Sequence, residues 1–117
     1  MTDFVGRYRE HVERLAQAVL TTTGETDVSL RQAVEARAAA LGGGTAMPPN
    51  DAVPATLDRY VGKVGLHAYQ VTDADVETLK AVAYSEDAIF EITLSAALGA
   101  ALGRLDRGLG ALKGQRV

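Results

Sequence analysis

The sequence predicts an all-α domain, a bundle of about five helices with a long C-terminal helix. Apolar residues recur at helical spacings of three and four along most of the chain, and no segment alternates convincingly as a strand would. Hydrophobic residues make up 47% of the 117 residues but only six are aromatic, a mixture that suits closely packed helices better than a sheet. This length predicts one domain with a core of its own.

The first predicted helix covers residues 3–21, with Thr2 as its N-cap. Its apolar residues share one face: Phe4, Tyr8, Val12, Leu15 and Val19. The run Thr21-Thr22-Thr23-Gly24 ends the helix, because β-branched residues lose side-chain freedom there and Gly supplies a stop.

The second predicted helix covers residues 29–41. Ser29 and Gln32 have the spacing of a capping box, in which each side chain satisfies a backbone donor. The apolar positions of its buried side are Leu30, Val34, Ala38 and Leu41. Glu35 and Arg37 fall off this side, so we expect both to be solvated.

A linker rich in Gly and Pro covers residues 43–53. It separates an N-terminal helical pair, 1–42, from a helical core, 54–112, which a short tail, 113–117, follows. We expect the linker to be a surface crossover. A mobile flap over a site, or a segment that regulates a partner, are the alternatives.

Two helices should follow the linker. The third covers residues 54–69 and begins at Pro54, whose fixed backbone angle suits the first helical position. Thr72 caps a short fourth helix with acidic residues in its first turn.

The last predicted helix covers residues 86–112 and is capped by Ser85, although Gly108 and Gly110 could end it early. Its most regular apolar feature is a leucine stripe: Leu94, Leu98, Leu102, Leu105, Leu109 and Leu112. This is the longest helix and should lie at the centre of the bundle.

A second stripe on this helix contains only small residues, Ser95, Gly99 and Gly103, at a spacing of four. An interior Gly costs about 1 kcal/mol relative to Ala, so a close helix–helix approach should offset the cost. We expect either an internal helix or a neighbouring subunit on this face. Because the helix is apolar or small over most of its circumference, we also predict a homo-oligomer.

Composition and charge argue against several partners. The net charge is −3 without a basic cluster, which argues against nucleic acid. The N-terminus is charged, and the uncharged run 92–103 is shorter than the roughly 20 residues of a membrane span. The absence of cysteine excludes disulfides and thiolate metal sites within the chain. We therefore expect a cytoplasmic protein without cofactor, metal or membrane partner.

Three segments resemble a known family. Residues 60–67 read Tyr-Val-Gly-Lys-Val-Gly-Leu-His, residues 71–79 read Val-Thr-Asp-Ala-Asp-Val-Glu-Thr-Leu, and residues 84–93 read Tyr-Ser-Glu-Asp-Ala-Ile-Phe-Glu-Ile-Thr before an Ala/Gly run. Together they resemble the carboxymuconolactone decarboxylase and alkylhydroperoxidase D family over about half of the chain. The resemblance implies an all-α fold and a symmetric homo-oligomer.

The peroxidase branch of that family carries Cys-x-x-Cys-x-x-x-His near a helix start, with a Glu upstream. The matching positions here are Tyr60 and Lys63 in place of the thiols and His67 in place of the histidine. The linker contains no Glu, and the chain contains no cysteine. Since the thiolate is the attacking group, thiol peroxidase activity is not expected.

Two residues are candidate proton carriers. The resemblance favours His67, because histidine is a residue type that can act as a base in proteins. His67 could instead merely stabilise the end of the third helix. Glu91 lies between two apolar residues, where burial would raise its pKa. Alternatively, Glu91 is a partly exposed helix residue or is paired with Arg or Lys.

Three residues are candidate contacts for a small anionic substrate: Lys63, Tyr60 and Arg104. Lys63 lies four residues before His67, which would place both on one helix face. Arg104 could instead form surface or intersubunit ion pairs.

Two functions remain after these arguments. The first is a cysteine-free relative of the family that binds a small molecule or assembles, without peroxidase activity. The second is a non-redox enzyme of the decarboxylase or lyase type, which acts on a small carboxylated substrate by proton transfer.

Overall fold

A computed structural model describes residues 2–44 and 53–114, and side chains from Tyr8 onward. Its helices are α1 Thr2–Leu20, α2 Val28–Leu41, α3 Ala55–Leu66, α4 Asp73–Ala81 and α5 Glu86–Leu112, with a 3-10 turn at Ala68–Gln70. The described residues contain no strand, so the predicted all-α class and long C-terminal helix are confirmed. Most of the predicted linker, residues 45–52, lies outside the described part.

Helices α2 and α5 form the largest contact of the fold and run in the same direction. Glu35 of α2 faces Gly99 of α5, and one turn later Ala39 faces Gly103. The core between α2, α3 and α5 consists of fully buried aliphatic residues that include Val34, Ala38, Leu57, Val61, Ile92 and Ala96. Helix α5 contacts α1, α2, α3 and α4, and therefore holds the bundle together.

The two glycines of α5 allow this close approach. A Cβ atom added to Gly99 would overlap the carbonyl oxygen of Glu35 and lie 2.9 Å from its carbonyl carbon. A Cβ atom at Gly103 would overlap the carbonyl oxygen of Ala39 in the same way. Both obstacles are backbone atoms, which cannot rotate away. Of the two partners expected for this stripe, the structure places an internal helix, α2, against it.

The leucine stripe of α5 is not its core-facing side. Leu98 is buried, but Leu94, Leu105 and Leu112 are 41%, 42% and 61% exposed. The core side instead consists of Ile89, Ile92, Ser95, Ala96, Gly99, Ala100 and Gly103. Leucine side chains cannot fit between two helices whose backbones touch, so the smaller residues take the inner position.

Helix α1 is amphipathic as predicted, but its apolar side is poorly covered. Tyr8 and Leu15 are 45% and 55% exposed, whereas Val12 and Val19 are half-buried. The side chains of Thr2 and Phe4 lie outside the described part. Helix α1 has only limited contact with α2 and α5, which is too little to cover a whole helix face.

The N-caps predicted at Thr72 and Ser85 are present at the starts of α4 and α5. Thr72 and Asp75 form a capping box, with the backbone N–H of Thr72 donating to the Asp75 carboxylate at 2.9 Å. Ser85 Oγ accepts from the backbone N–H of Ala88 at 3.0 Å. The capping box predicted for Ser29 and Gln32 is wrong, because α2 begins one residue earlier and Ser29 already lies inside it.

Helix α3 is shorter than predicted. It starts after Pro54, which is its N-cap rather than its first residue, and ends at Leu66 instead of residue 69. His67 follows with φ −140° and ψ 52°, outside the helical region. Lys63 and His67 therefore do not extend from one helix face as the sequence suggested.

Candidate functional site

Glu91 fastens the α1–α2 loop to α5. Its carboxylate accepts hydrogen bonds from the backbone N–H groups of Glu25 and Thr26, at 2.8 and 2.9 Å, and from the Thr26 hydroxyl at 2.6 Å. A Cβ atom at Gly24 would lie 2.5 Å from Glu91 Oε2, so the loop backbone approaches closely. All of these contacts connect parts of the fold, so the Glu91 carboxylate is already bound within the protein.

Arg31 completes this junction from α2. Its side chain is 4% exposed and donates to the carbonyl oxygens of Val19, at 2.6 Å, and of Thr22. Its Nε lies 3.9 Å from Glu91 Oε1 and forms no hydrogen bond. A buried guanidinium and a carboxylate thus hold the loop between α1 and α2 from both sides.

The protonation of Glu91 follows from these contacts. Partial burial raises its pKa, but the hydrogen bonds from Thr26 and Glu25 and the charge of Arg31 outweigh that effect, and the net pKa is lowered. The sequence argument expected a raised pKa. A carboxyl group that remains ionised well below neutrality carries no proton to donate at pH 7.

Lys63 is held by α4. Its Nζ donates to both carboxylate oxygens of Asp75, at 2.9 and 3.0 Å. This bond is the main reason that the pKa of Asp75 is lowered, with the backbone N–H of Thr72 contributing next. The amine proposed to hold an anionic substrate therefore already has an internal anionic partner.

Tyr60 lies in the core of α3 and is only 6% exposed. Its hydroxyl is 2.7 Å from Thr93 Oγ1, and the Thr93 hydroxyl donates to the carbonyl oxygen of Ile89. The Tyr60 hydroxyl is therefore the donor to Thr93. Successive helix residues are turned by about 100°, so Glu91 and Thr93 extend to nearly opposite sides of α5 and Tyr60 lies away from the Glu91 junction.

His67 caps the C-terminal end of α3, and the side chain of Arg104, a residue of α5, contacts the same end. Arg104 donates to the carbonyl oxygen of Gly65 at 2.5 Å, and thereby satisfies one of the last carbonyl groups of the helix. The exposed His67 ring makes an edge contact with Tyr69 at 6.0 Å between ring centroids.

The positions of Tyr60 and Lys63 also bear on the family motif. In the peroxidase branch the thiols lie near a helix start, where the helix dipole favours the thiolate. Here Tyr60 lies in the middle of α3 and Lys63 in its second half, five and eight residues after its start at Ala55.

One candidate was missed by sequence reasoning. Glu35 was expected to be solvated with Arg37, but both are half-buried, because α2 is covered by both α3 and α5. Burial raises the pKa of Glu35, and no described residue donates a hydrogen bond to its carboxylate. A signal was present in the sequence: the alanines of α2 leave it without a clear polar side, which is typical of a helix covered from several directions.

An open cleft of about 400 Å³ lies between the starts of α2 and α5. Its lining residues are Glu25, Thr26, Asp27, Leu30, Ala83, Tyr84, Ser85 and Ala88. None of the residues proposed from the sequence lines it. Within the part of the chain that the structure describes, no three His, Asp or Glu side chains are grouped as metal ligands.

The comparisons with known proteins neither support nor contradict the resemblance to the carboxymuconolactone decarboxylase family. No protein-family model matches the chain, and neither curated proteins nor solved structures provide a match. By length and composition α5 is the one described helix that could cross a membrane. Half of its apolar window is buried inside the fold, as in the core helix of a soluble protein, so this is weak evidence.

Proposed function

We propose that the chain is a self-associating helical protein, a cysteine-free relative of the carboxymuconolactone decarboxylase family, which acts by assembly or small-molecule binding. One observation carries the proposal: an apolar surface lies uncovered on α5 and α1, whereas most residues suited to catalysis are bound within the fold. Phe90 is 65% exposed, and Leu94, Leu105 and Leu112 lie on the same side of α5. Exposed apolar patches of this kind mark contact sites.

Light scattering over a range of protein concentrations tests this proposal. The expected result is a mass that rises from 12.3 kDa, the mass of one chain, to a multiple of it. A chain that remains at one protomer mass up to millimolar concentration contradicts the proposal.

A non-redox enzyme remains the second candidate, and Glu35 is the observation that favours it. A half-buried carboxyl group with a raised pKa is suited to proton transfer, which a decarboxylase or lyase acting on a small carboxylated substrate requires. Arg104 and His67 are the exposed groups that could contact such an anion.

The enzyme candidate is tested by adding small lactones that bear carboxylates and recording the NMR signals of Glu35, His67 and Arg104. Enzymatic function predicts saturable shifts of these signals, turnover of one compound, and loss of turnover in Glu35→Gln. Absence of chemical-shift changes at millimolar ligand would contradict the enzyme candidate and would not affect the proposal of self-association.

A further inference from the structure

The outer side of α5 carries a continuous apolar stripe that no described element covers. It comprises Phe90, Leu94, Ala97, Ala101, Leu105, Gly108 and Leu112, at spacings of four and three, and every one of them is exposed. The stripe lies directly opposite the inner row that contacts α2, since the two sets are turned by about 180° around the helix. We call it the outer stripe.

We propose that the outer stripe is a two-fold interface that binds the outer stripe of a second copy of this chain, with the two α5 helices antiparallel. This inference rests on the self-association proposed above and specifies the surface, the partner and the orientation.

The order of side-chain sizes along the stripe favours the antiparallel orientation. When two copies are related by a two-fold axis near position 99, Phe90 lies opposite Gly108 of the second copy. Leu94 then lies opposite Leu105, and Ala97 opposite Ala101. The largest side chain thus meets the residue without one, and the two alanines meet at the centre, where the helices come closest.

Space for the Phe90 ring is present at Gly108. A Cβ atom added to Gly108 would contact nothing within 4 Å, so the surface above this residue is open. An exposed Gly inside a helix costs about 1 kcal/mol relative to Ala, and no described residue packs on Gly108 to offset this cost. A partner side chain seated on Gly108 would account for it.

Charge also favours antiparallel helices. The first turn of α5 contains the acids Glu86 and Asp87, of which Glu86 also pairs with Lys80. At the other end, Lys113 follows α5 and is exposed, whereas Arg104 donates to Gly65 of α3 and the Arg107 side chain lies against Gly43. Antiparallel pairing brings the acidic start of one helix close to Lys113 of the other, and opposes the two helix dipoles favourably. Parallel pairing would place like charges together.

Disulfide trapping tests the orientation directly, because the chain has no cysteine of its own. Ala97→Cys and Ala101→Cys chains, one of them labelled with ¹⁵N, are mixed and oxidised, and mass spectrometry identifies the linked pairs. The antiparallel interface predicts that mixed 97–101 dimers form several-fold faster than 97–97 dimers, whose positions are offset by about 6 Å along the helix. Dominant 97–97 and 101–101 dimers would indicate parallel helices and overturn the proposal.

Substitution of Gly108 distinguishes a specific interface from nonspecific hydrophobic association. Gly108→Leu adds apolar surface where the protomer has room, so a nonspecific apolar contact would become stronger. The proposed interface instead loses the space for Phe90, and the dimer dissociation constant should rise at least tenfold. Phe90→Ser should have a similar effect. Tyr69→Ser, which removes an exposed aromatic ring distant from α5 in sequence, is the matched control and should leave the constant unchanged.

The outcomes distinguish the two proposals. A dimer that is unaffected by Gly108→Leu and forms no 97–101 link overturns the outer-stripe interface, while self-association stands. A chain that is monomeric at every concentration overturns both. A monomer that floats with phosphatidylcholine vesicles in a density gradient, and loses that property in Phe90→Ser, would assign the stripe to lipid and also overturn the interface.

Discussion

The two sides of α5 differ in what lies against them, although both consist of apolar and small residues. The inner side contains Gly99 and Gly103, and the backbone of α2 rests directly on it. The outer side contains the larger Phe90 and Leu94, and solvent reaches it. Hydrophobicity alone would have predicted that Phe90 and Leu94 face the interior and that the glycines face solvent. The difference shows that closeness of approach, rather than side-chain size, decides which side of this helix becomes the interior.

The strongest test of the inner side is Gly99→Ala. The added Cβ would overlap the Glu35 carbonyl, so either α2 moves or the variant fails to fold. Overpacking against backbone should destabilise the protein by about 3 kcal/mol or more. Gly62→Ala is the control, because a Cβ there contacts nothing within 4 Å, and it should stabilise α3 by up to about 1 kcal/mol. Urea unfolding measures both, and equal effects would contradict the close packing.

Glu91→Gln tests the hydrogen bonds that join α5 to the α1–α2 loop. The variant loses charged hydrogen bonds to the loop and leaves Arg31 without its anion, so we expect a loss of about 2 kcal/mol at pH 7. Because the folded-state pKa of Glu91 lies below its ordinary value of 4.5, this stabilisation is present above 4.5. It is lost as the pH falls through the lowered folded pKa.

The same variant makes this pH dependence measurable. The stability difference between the native protein and Glu91→Gln should shrink as the pH is lowered from 5, when followed by thermal unfolding. Glu13→Gln, on the exposed side of α1, is the control and should leave the acid dependence unchanged. A difference that stays constant down to pH 2.5 would contradict the role of the Glu91 charge.

Tyr60→Phe tests the hydrogen bond between α3 and α5, which lies between the inner and outer sides of α5. It removes the hydroxyl that donates to Thr93, and Thr93 then loses one partner in a buried position. The expected loss is about 1 kcal/mol in the free energy of unfolding. Tyr69→Phe provides the comparison, since Tyr69 is 81% exposed and should change stability by less than about 0.5 kcal/mol.

Phe90→Ser should have the smallest effect on the isolated protomer. Its ring is mostly exposed, so in dilute solution the unfolding free energy should change by less than about 0.5 kcal/mol. At high concentration the native protein should gain stability from association, whereas the variant should not. A large loss in dilute solution would mean that the outer side is covered within the protomer.

Much of the fold could be predicted from local chemistry. Ser85 and Thr72 mark helix starts because an oxygen one residue before a helix satisfies its free N–H groups. The end of α3 could not be predicted, because Leu66 and His67 include neither Gly nor Pro to mark it. The small-residue stripe of α5 predicted that a helix would approach it, but the spacing could not show that this helix is α2 or that the leucine stripe would remain outside.

The candidate site was less predictable than the fold. That Glu91 would have partners could be anticipated, but the partners are mostly backbone N–H groups of Glu25 and Thr26, which any residue type provides. Lys63 pairs with Asp75 on another helix, and nothing in the spacing of the two residues indicates that contact. Glu35 was missed because the alanines of α2 indicate a helix covered from several directions but do not show which of its polar residues become buried.

The contact between α2 and α5 joins residues that are 64 positions apart in the chain, such as Glu35 and Gly99. During synthesis, α2 must therefore wait until α5 has left the ribosome before its partner exists. Since long-range contacts slow folding, this bundle should fold more slowly than helical proteins whose neighbours follow one another. For the same reason residues 54–112 alone should not fold, because without the first two helices their glycine-bearing side would face water.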